Sequence, residues 1–358
     1  MDANRWALLL RPSANRVYAD ASLGLLAAEL AVLDATRLGG VLTDVGPETR
    51  AGVPYLGFTG PALHDDPAAL AHLGLLSSAY ALFRVRDDGA LLPVELPRAE
   101  VLDDDLVTIP KYVGKTNEVF TRLLLNVTAW ASASGDRAPT GGLAVLDPMC
   151  GRGTTLHLAL LHGHHAGGVE VDAKDVEAHA TFLRTWLKRK RLKHEADLVP
   201  VRRGGKVVGR RLEVELAPTK EAWKAGDRLR LRVVQDDTVE AGRHWSGRSF
   251  DVLVTDAPYG VQHGSHARRA GGGGGGGAAL ARSPLGLLEE ALPGWLTLLR
   301  PGAAVGIAWN THVAPREDAV AVLRAAGLEV LDDGPWRGFR HRVDQAIDRD
   351  VLVARLPR

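Results

Sequence analysis

Short apolar runs alternate with helical patterns through the second two thirds of the chain, and this alternation limits the fold more than any other feature. Continuous apolar runs bounded by turn residues are typical of strands that are buried on both faces. Strands that alternate with helices form a mostly parallel sheet covered by helices on both sides. We therefore expect a doubly wound, Rossmann-like α/β domain over residues 116–358. Its predicted strands are 143–146, 166–171, 229–234, 250–255 and 303–308, and its predicted helices are 117–131, 154–161, 175–191 and 285–299.

The first hundred residues have a different order of elements. Strands are predicted at 6–10, 40–44, 53–58, 79–85 and 91–96, with helices at 21–33 and 67–73. The order β-α-β-β-α-β is that of a ferredoxin-like unit, and the turn signal Asp87-Asp88-Gly89 joins the last two strands as a hairpin. We expect a small α+β domain over residues 1–97. An acidic, proline-flanked linker at 98–115 separates it from the second domain.

The composition is that of a globular protein, with 46% hydrophobic and 24% charged residues. Cys150 is the only cysteine, which excludes an intramolecular disulfide. The apolar core of the N-terminal stretch, residues 7–10, is too short for a signal peptide, and no run is long enough to span a membrane. We expect a cytoplasmic protein that does not associate with a membrane.

Basic residues are concentrated in one part of the chain. Between Arg184 and Arg232 there are 16 Lys or Arg against six Asp or Glu, whereas the whole chain has a net charge of +1. Such a block indicates contact with a polyanion, and the alternative is a solvated helix face followed by a hairpin. We interpret 188–232 as a basic insertion that contains a β-hairpin around Gly204-Gly205. The candidate RNA contacts are Arg202, Arg203, Arg210 and Arg211, and seven consecutive glycines at 271–277 predict a flexible loop over 264–284.

The stretch LDPMCGRGTTLHLALL, residues 146–161, predicts a strand, a glycine-containing turn and a helix, which together bring backbone N–H groups to a ligand. It lacks both the G-x-G-x-x-G spacing and the lysine of a phosphate-binding loop. Acids instead follow the first three strands of the sheet: Asp147, Glu170, and the pair Asp236 and Asp237. Acids at strand ends without a phosphate cradle predict a nucleoside that carries no phosphates, such as S-adenosylmethionine.

The stretch TDAPYG follows the predicted strand at 250–255, at the rim where open α/β sheets bind ligands. The simplest interpretation is a β-turn, because Asp, Pro and Gly all favour turns. A functional interpretation gives each residue a part. On this interpretation the Asp256 carboxylate, the rigid Pro258 and the Tyr259 ring are presented together to a ligand at the rim.

DPMCGRGTT followed by DAPYG resembles the motifs D-P-x-C-G-x-G-T and [DN]-P-P-[YF] of class I methyltransferases that act on exocyclic amines of bases. The resemblance is greatest to the tRNA guanosine N2-methyltransferases of the THUMP-associated group and covers about residues 110–358. The stretches KYVGKTNEVFTRLLLNVT, TDAPYGVQHGS and RHRVDQAIDRDVLVARL are similar to the helix before the first motif, to the second motif and to the closing hairpin of that group. This chain departs at Ala257, where the group usually has proline. The carbonyl is retained there but some rigidity is lost.

This resemblance implies methylation of an exocyclic base amine in RNA, namely N2 of a guanosine in tRNA, with S-adenosylmethionine as cofactor and no metal. Alternatives are a DNA adenine or cytosine methyltransferase, an rRNA guanine methyltransferase, and a non-catalytic RNA-binding adaptor; a small activating partner subunit is left open. His157, His162, His164 and His165 have no second set of ligands for a metal, and Cys150 is expected as a small residue in a tight turn. The implied cofactor-binding residues are Asp147, Pro148, Cys150, Gly151, Gly153, Thr154, Glu170, Asp236, Asp237 and Thr238, and the implied catalytic residues are Asp256, Ala257, Pro258 and Tyr259.

Overall fold

A computed structural model describes residues 4–12, 16–257 and 284–358 of the chain. The N-terminal part consists of β1 (Asn4–Leu10), α1 (Arg16–Leu33), β2 (Thr43–Arg50), β3 (Val53–Gly60), α2 (Pro67–Leu73), β4 (Ala79–Val85) and β5 (Leu91–Val94). These strands form an antiparallel sheet in the order β2-β3-β1-β4-β5. The first four have the ferredoxin-like arrangement expected from the sequence, and β5 extends the sheet as a hairpin beside β4.

Local sequence explains these elements. The carboxylate of Asp66 accepts hydrogen bonds from the Ala68 and Ala69 N–H groups at 3.0 and 2.9 Å, and Pro67 occupies the first helical position of α2. Trp6 and Leu8 of the central strand β1 are fully buried. Trp6 stacks on Phe58 of the adjacent strand with a ring separation of 6.4 Å.

Among the residues that the structure describes, the second sheet has ten strands, and it is built from the elements that alternate in the sequence. Its strands are β6 (Ala144–Asp147), β7 (His165–Glu170), β8 (Lys193–Arg203), β9 (Lys206–Ala217), β10 (Leu229–Gln235), β11 (Phe250–Asp256), β12 (Leu299–Asn310), β13 (Glu329–Leu331), β14 (His341–Arg342) and β15 (Asp348–Arg355). The order is β13-β15-β12-β11-β6-β7-β10-β9-β8, with β14 beside β15. Strands β6, β7, β10, β11 and β12 are parallel to their neighbours in this group. The predicted doubly wound, Rossmann-like fold is confirmed.

The order of the parallel strands reverses between β6 and β11. From β6 the chain proceeds outward through β7 and β10, and it then returns to the other side of β6 with β11 and β12. In sheets of this kind ligands bind outside the carboxyl ends of the strands, at the point where the order reverses. Asp147 ends β6 and Asp256 ends β11, so both acids lie at this switch point.

In the described part of the chain seven helices accompany the second sheet: α3 (Asp105–Thr108), α4 (Glu118–Ala131), α5 (Thr154–Leu161), α6 (Ala173–Lys190), α7 (Lys220–Ala225), α8 (Pro284–Thr297) and α9 (Arg316–Ala325). Helix α4 packs against both β12 and the N-terminal helix α1, and apolar side chains of the two sheets share one buried cluster. Polar contacts reinforce this junction. Asn126 of α4 donates to the buried carboxylate of Glu29 at 2.9 Å, and Arg37 donates to the Ser132 carbonyl at 2.8 Å. The N-terminal sheet is thus fixed to the second sheet through α4.

The segment expected as a linker contains structure that the sequence analysis missed. Leu106 and Val107 of α3 are buried, and Asp105 forms ion pairs with Arg189 at 3.2 Å and Lys190 at 2.8 Å. The acidic residues therefore attach this segment to the basic end of α6 instead of leaving it as a free connector. Helices α7 and α9 and strand β13 were also not anticipated.

The hairpin expected within the basic insertion is present and is longer than its apolar pieces suggested. Strands β8 and β9 pair over their whole length, and β9 pairs antiparallel with β10, so that the hairpin extends the sheet. The last β9–β10 pair is Arg211 with Val234. Residues 203–208 consequently extend past the carboxyl end of β10 by roughly 10 Å at about 3.3 Å per residue.

The helices of the described residues do not resemble membrane spans. The two longest, α1 and α6, have 18 residues each, and α6 is rich in charged side chains. None is both long and apolar enough to cross a bilayer.

Candidate active site

The turn after β6 is closely packed and depends on glycine. Gly153 precedes α5 with φ +86°, and a Cβ at this position would lie only 2.4 Å from Cε1 of His179. A side chain is therefore excluded both by backbone conformation and by the buried imidazole. The Cys150 N–H donates to the Val169 carbonyl of β7 at 3.0 Å, which joins the turn to the neighbouring strand. Burial raises the pKa of the Cys150 thiol, so this residue is not an activated nucleophile.

Asp147 is buried and links the turn to β11. Its Oδ1 accepts from the Thr255 hydroxyl at 2.9 Å and from the Met149 N–H at 3.1 Å. Burial raises its pKa to about 6. The side chain is only 4% exposed. It therefore acts within the protein by holding the carboxyl ends of two neighbouring strands together, with Asp256 the next residue after Thr255.

Glu170 follows β7 and is bound by backbone N–H groups. Its two oxygens accept from Gly151 at 2.8 Å and from Asp172 at 2.7 Å. Burial raises its pKa. The contact with Gly151 connects the acid directly to the first turn, so the ends of β6 and β7 form one continuous surface.

The residues after β10 complete this side of the rim. The Asp236 N–H donates to the Glu170 carbonyl at 3.2 Å, and its carboxylate lies 2.9 Å from Nε2 of His244. The Asp237 carboxylate caps the short 3₁₀ helix that follows, and Thr238 is buried, where its carbonyl accepts from Trp295 at 3.0 Å. Asp236 is thus adjacent to Glu170, whereas Asp237 and Thr238 have clear local structural roles.

Two further cofactor-site candidates lie at the turn itself. Pro148 is buried, and Thr154 begins α5 with its hydroxyl 3.0 Å from the hydroxyl of Tyr112. The Tyr112 ring packs against the Arg152 guanidinium at 4.9 Å. Burial raises the pKa of Tyr112. Tyr112 was not among the residues expected at the site, although it lies within the stretch KYVGKTNE on which part of the resemblance rests.

At the end of β11, Asp256 is held from two directions. Its Oδ2 accepts from the Thr116 hydroxyl at 2.6 Å and lies 3.6 Å from Nη2 of Arg349. The next residue, Ala257, is buried, and its N–H donates to the Ala308 carbonyl of β12 at 2.8 Å. Proline could not make that bond because it has no N–H. The backbone is therefore held at this departure from the motif by an additional ladder bond, which offsets the rigidity expected to be lost.

The remainder of the second motif lies outside the described residues. This applies to Pro258 and Tyr259, to the glycine run at 271–277 and to all but Pro284 of the loop expected at 264–284. Beside Ala257 there is an apolar pocket of about 10 Å³ lined by Leu288 and Ile307. As bounded by the described residues, it has room for about one water molecule.

The hairpin arginines are placed near the rim but differ in their surroundings. Arg210 forms an ion pair with Glu177 of α6 at 2.7 Å, and Arg211 forms one with Glu213 at 3.1 Å. Arg202 is exposed and donates to the Gly205 carbonyl at 3.4 Å, while the side chain of Arg203 lies outside the described part. The basic charge of this region is therefore partly balanced by acids of the same domain.

The histidines near α5 lie in the core. His157 and His179 are buried with their Nε2 atoms 2.9 Å apart, and burial lowers the pKa of both. His162 and His164 are likewise buried. Within the ranges that the structure describes, no three His, Cys, Asp or Glu side chains converge as a metal site would require.

Comparison with known proteins gives matches among solved structures alone. No protein-family model and no curated protein matches the chain. TrmN from Thermus thermophilus is 14% identical, covers 99% of this chain and 100% of its own, and has a TM-score of 0.42. A second match is the 1,6-didemethyltoxoflavin-N1-methyltransferase of Burkholderia thailandensis with bound S-adenosylhomocysteine. It is 16% identical, covers 61% of this chain and 73% of its own, and has a TM-score of 0.32. P. horikoshii TYW2 in complex with MeSAdo is 12% identical, covers 77% of this chain and 70% of its own, and has a TM-score of 0.32. Because all three TM-scores are below 0.5, the fold assignment rests on the strand order described above.

Proposed function

We propose that the protein is an S-adenosylmethionine-dependent methyltransferase that methylates an exocyclic amine of a nucleobase in RNA, namely N2 of a guanosine in tRNA. One observation carries the proposal. The two sequence motifs, whose acids Asp147 and Asp256 are 109 residues apart, end adjacent strands at the switch point of a doubly wound sheet. The Thr255–Asp147 hydrogen bond joins them directly. A cofactor beside the first motif would thus lie next to a base presented to the second.

The residues around the first turn fit S-adenosylmethionine better than a phosphorylated nucleotide. The carboxylates of Glu170 and Asp236 lie at this rim, and the guanidinium of Arg152 is already paired with Asp175 at 2.7 Å. An acidic rim suits ribose hydroxyls and a positively charged ligand and disfavours phosphates. Glu170 and Asp236 would hold the hydroxyl-bearing part, and Gly151, whose missing side chain faces open space, leaves room for close approach to the backbone. When bound, this cofactor supplies an electrophilic methyl group.

The chain's own part in the reaction lies at the end of β11. An exocyclic amine is a weak nucleophile because its lone pair is delocalised into the ring of the base. The Asp256 carboxylate and the Ala257 carbonyl are the proposed acceptors for its N–H groups, which draws the nitrogen toward tetrahedral geometry and stabilises the positive charge that develops there. Tyr259 is the proposed stacking partner of the base.

RNA is the proposed substrate partner, and the β8–β9 hairpin supports it. Its tip carries Arg202 and Lys206 past the rim on the side of β10, where a strand entering the site would run. The Arg210–Glu177 pair is exposed, and pairs of this kind contribute only about 0–1 kcal/mol, so phosphates can compete for Arg210. The Arg211–Glu213 pair is half-buried.

The test is methyl transfer from labelled S-adenosylmethionine to total tRNA, rRNA and DNA in separate reactions, followed by nucleoside analysis. The proposal expects label in tRNA, recovered as N2-methylated guanosine. Label confined to DNA or rRNA would replace the substrate while keeping the enzyme class. Cofactor binding without transfer to any of the three would support the non-catalytic alternative.

A further inference from the structure

Thr116 makes a contact that the proposed mechanism does not yet use. Its hydroxyl donates to Oδ2 of Asp256 at 2.6 Å, although the two residues are 140 positions apart. A hydroxyl–carboxylate bond of this length belongs to the strong, charge-assisted class. Thr116 lies in the stretch KYVGKTNE, which precedes α4 and overlaps its first residue.

The residues on both sides hold Thr116 in place. Lys115 donates to the Val107 carbonyl of α3 at 2.7 Å and pairs with Glu118 at 3.2 Å. Asn117 caps α4, where its side chain accepts from the Val119 N–H at 2.8 Å. The hydroxyl is thus presented by a segment that is fixed at both ends, and it can act as a rigid contact for the carboxylate.

Arg349 of β15 contacts the same Asp256 oxygen, Oδ2, that Thr116 contacts. It belongs to β15, is only 5% exposed, and lies 3.6 Å from Oδ2 of Asp256 with its guanidinium 4.5 Å from the centre of the Phe120 ring. Strand β15 pairs with β12 on one side and with β14 on the other. Two contacts from separate, well-supported elements restrain rotation of the Asp256 carboxylate.

We propose that Thr116 is a positioning residue that sets the orientation of the Asp256 carboxylate toward the amine of the substrate. The inference rests on the proposed function, because it gives that carboxylate its acceptor role. An error of about 1 Å in a group that orients a reacting atom can cost on the order of 10²-fold in rate. Rotation of Asp256 should therefore slow the chemical step without weakening the binding of either ligand.

A purely structural role for Thr116 is the alternative, in which its bond attaches the segment before α4 to β11. Thr116→Val removes the hydroxyl and keeps the shape, while Thr116→Ser keeps the hydroxyl. Thr121→Val is the matched control, because the Thr121 hydroxyl bonds only to the Asn117 backbone carbonyl at 3.1 Å within α4 among the contacts described. Each variant is also made in an Asp256→Ala background.

The measurements are kcat and KM for RNA, the cofactor Kd and the thermal midpoint of each full-length variant. We expect Thr116→Val to lower kcat by about 10- to 100-fold, with KM and the cofactor Kd within about twofold of wild type. Thr116→Ser should recover kcat to within about threefold. In the Asp256→Ala background, Thr116→Val should change kcat by less than about twofold, because the carboxylate that it orients is gone.

Several results would overturn the inference. If the enzyme is active and Thr116→Val has the kcat of wild type, Thr116 has no positioning role, and the proposed function still holds. A structural role is shown instead if Thr116→Val lowers kcat equally in the Asp256→Ala background. It is also shown if the thermal midpoint of Thr116→Val falls enough to account for its loss of kcat, and that of Thr121→Val does not fall. A wild-type protein that binds the cofactor but methylates no nucleic acid overturns the proposed function, and the positioning role with it.

Discussion

Replacement of Glu29 by glutamine should make the protein more stable at neutral and alkaline pH. Glu29 is fully buried between α1 and α4, where its carboxylate accepts from the Asn126 side chain at 2.9 Å and from the Ser77 hydroxyl at 2.6 Å. Burial raises its pKa from 4.5 to about 7, against the opposing effect of these hydrogen bonds. Glutamine has the same shape as the protonated acid and can keep the acceptor for Asn126.

The sign follows from the protons bound in each state. Between pH 4.5 and about 7 the folded protein keeps the Glu29 proton and the unfolded chain has lost it, so stability falls as the pH rises through this window. The full difference between the two pKa values corresponds to about 3 kcal/mol, at about 1.4 kcal/mol per pKa unit. Glu29→Gln does not titrate. Its free energy of unfolding relative to wild type should therefore increase by about 2–3 kcal/mol between pH 5 and pH 8.

The assay is urea unfolding at pH 5, 6, 7 and 8, followed by two probes that must give coincident transitions. Glu100→Gln is the control, because the pKa of Glu100 is shifted in the opposite direction to that of Glu29. Burial opposes the charge of Glu100, but its 2.7 Å ion pair with Arg122 outweighs burial and lowers its pKa. Glu100→Gln should be less stable than wild type by an amount that is constant from pH 5 to pH 8. A constant stability difference between Glu29→Gln and wild type over the same range would show that Glu29 does not titrate there.

Three further predictions concern the site. Ala257→Pro should lower the free energy of unfolding by about 1 kcal/mol, since it removes the hydrogen bond to Ala308, and a gain in stability on urea unfolding would contradict this. Glu170→Ala should weaken cofactor binding by about 1.5–3 kcal/mol in calorimetric titration, and an unchanged Kd would show that this acid does not contact the cofactor. Replacement of all four hairpin arginines by glutamine should flatten the salt dependence of RNA binding. For single strands the slope of log affinity against log salt concentration changes by about 0.7 per phosphate contact. An unaltered slope would mean that the basic block is only a solvated surface.

The sequence predicted the local parts of this protein well because they depend on neighbouring residues. The helix at 154–161 and the strand pattern of the sheet follow from apolar spacing, and the glycine turn before α5 follows from Gly153 and its positive φ. The helix predicted at 67–73 coincides with α2, and the Asp66 cap and Pro67 at its first position explain that start.

Contacts between distant segments were not predictable in the same way. The Thr116–Asp256 bond joins segments 140 residues apart, and no local pattern marks it. The basic block was interpreted from charge along the chain, yet Asp105 lies far away in sequence and neutralises part of it in space. Whether alanine at 257 weakens the turn depends on the hydrogen-bond partner of its N–H. That partner, the Ala308 carbonyl, is set by the pairing of β11 with β12. These features require the tertiary arrangement.

In the proposed reaction Asp256 is an acceptor for the reacting amine beside a cofactor held by the first motif. The most direct measurement compares wild type and Asp256→Ala in single-turnover methyl transfer to the preferred RNA, together with the cofactor Kd of each protein. We expect the rate of Asp256→Ala to be lower by at least about 10²-fold, with a cofactor Kd changed by less than about twofold. Equal losses of rate and cofactor affinity, or a rate close to that of wild type, would contradict it.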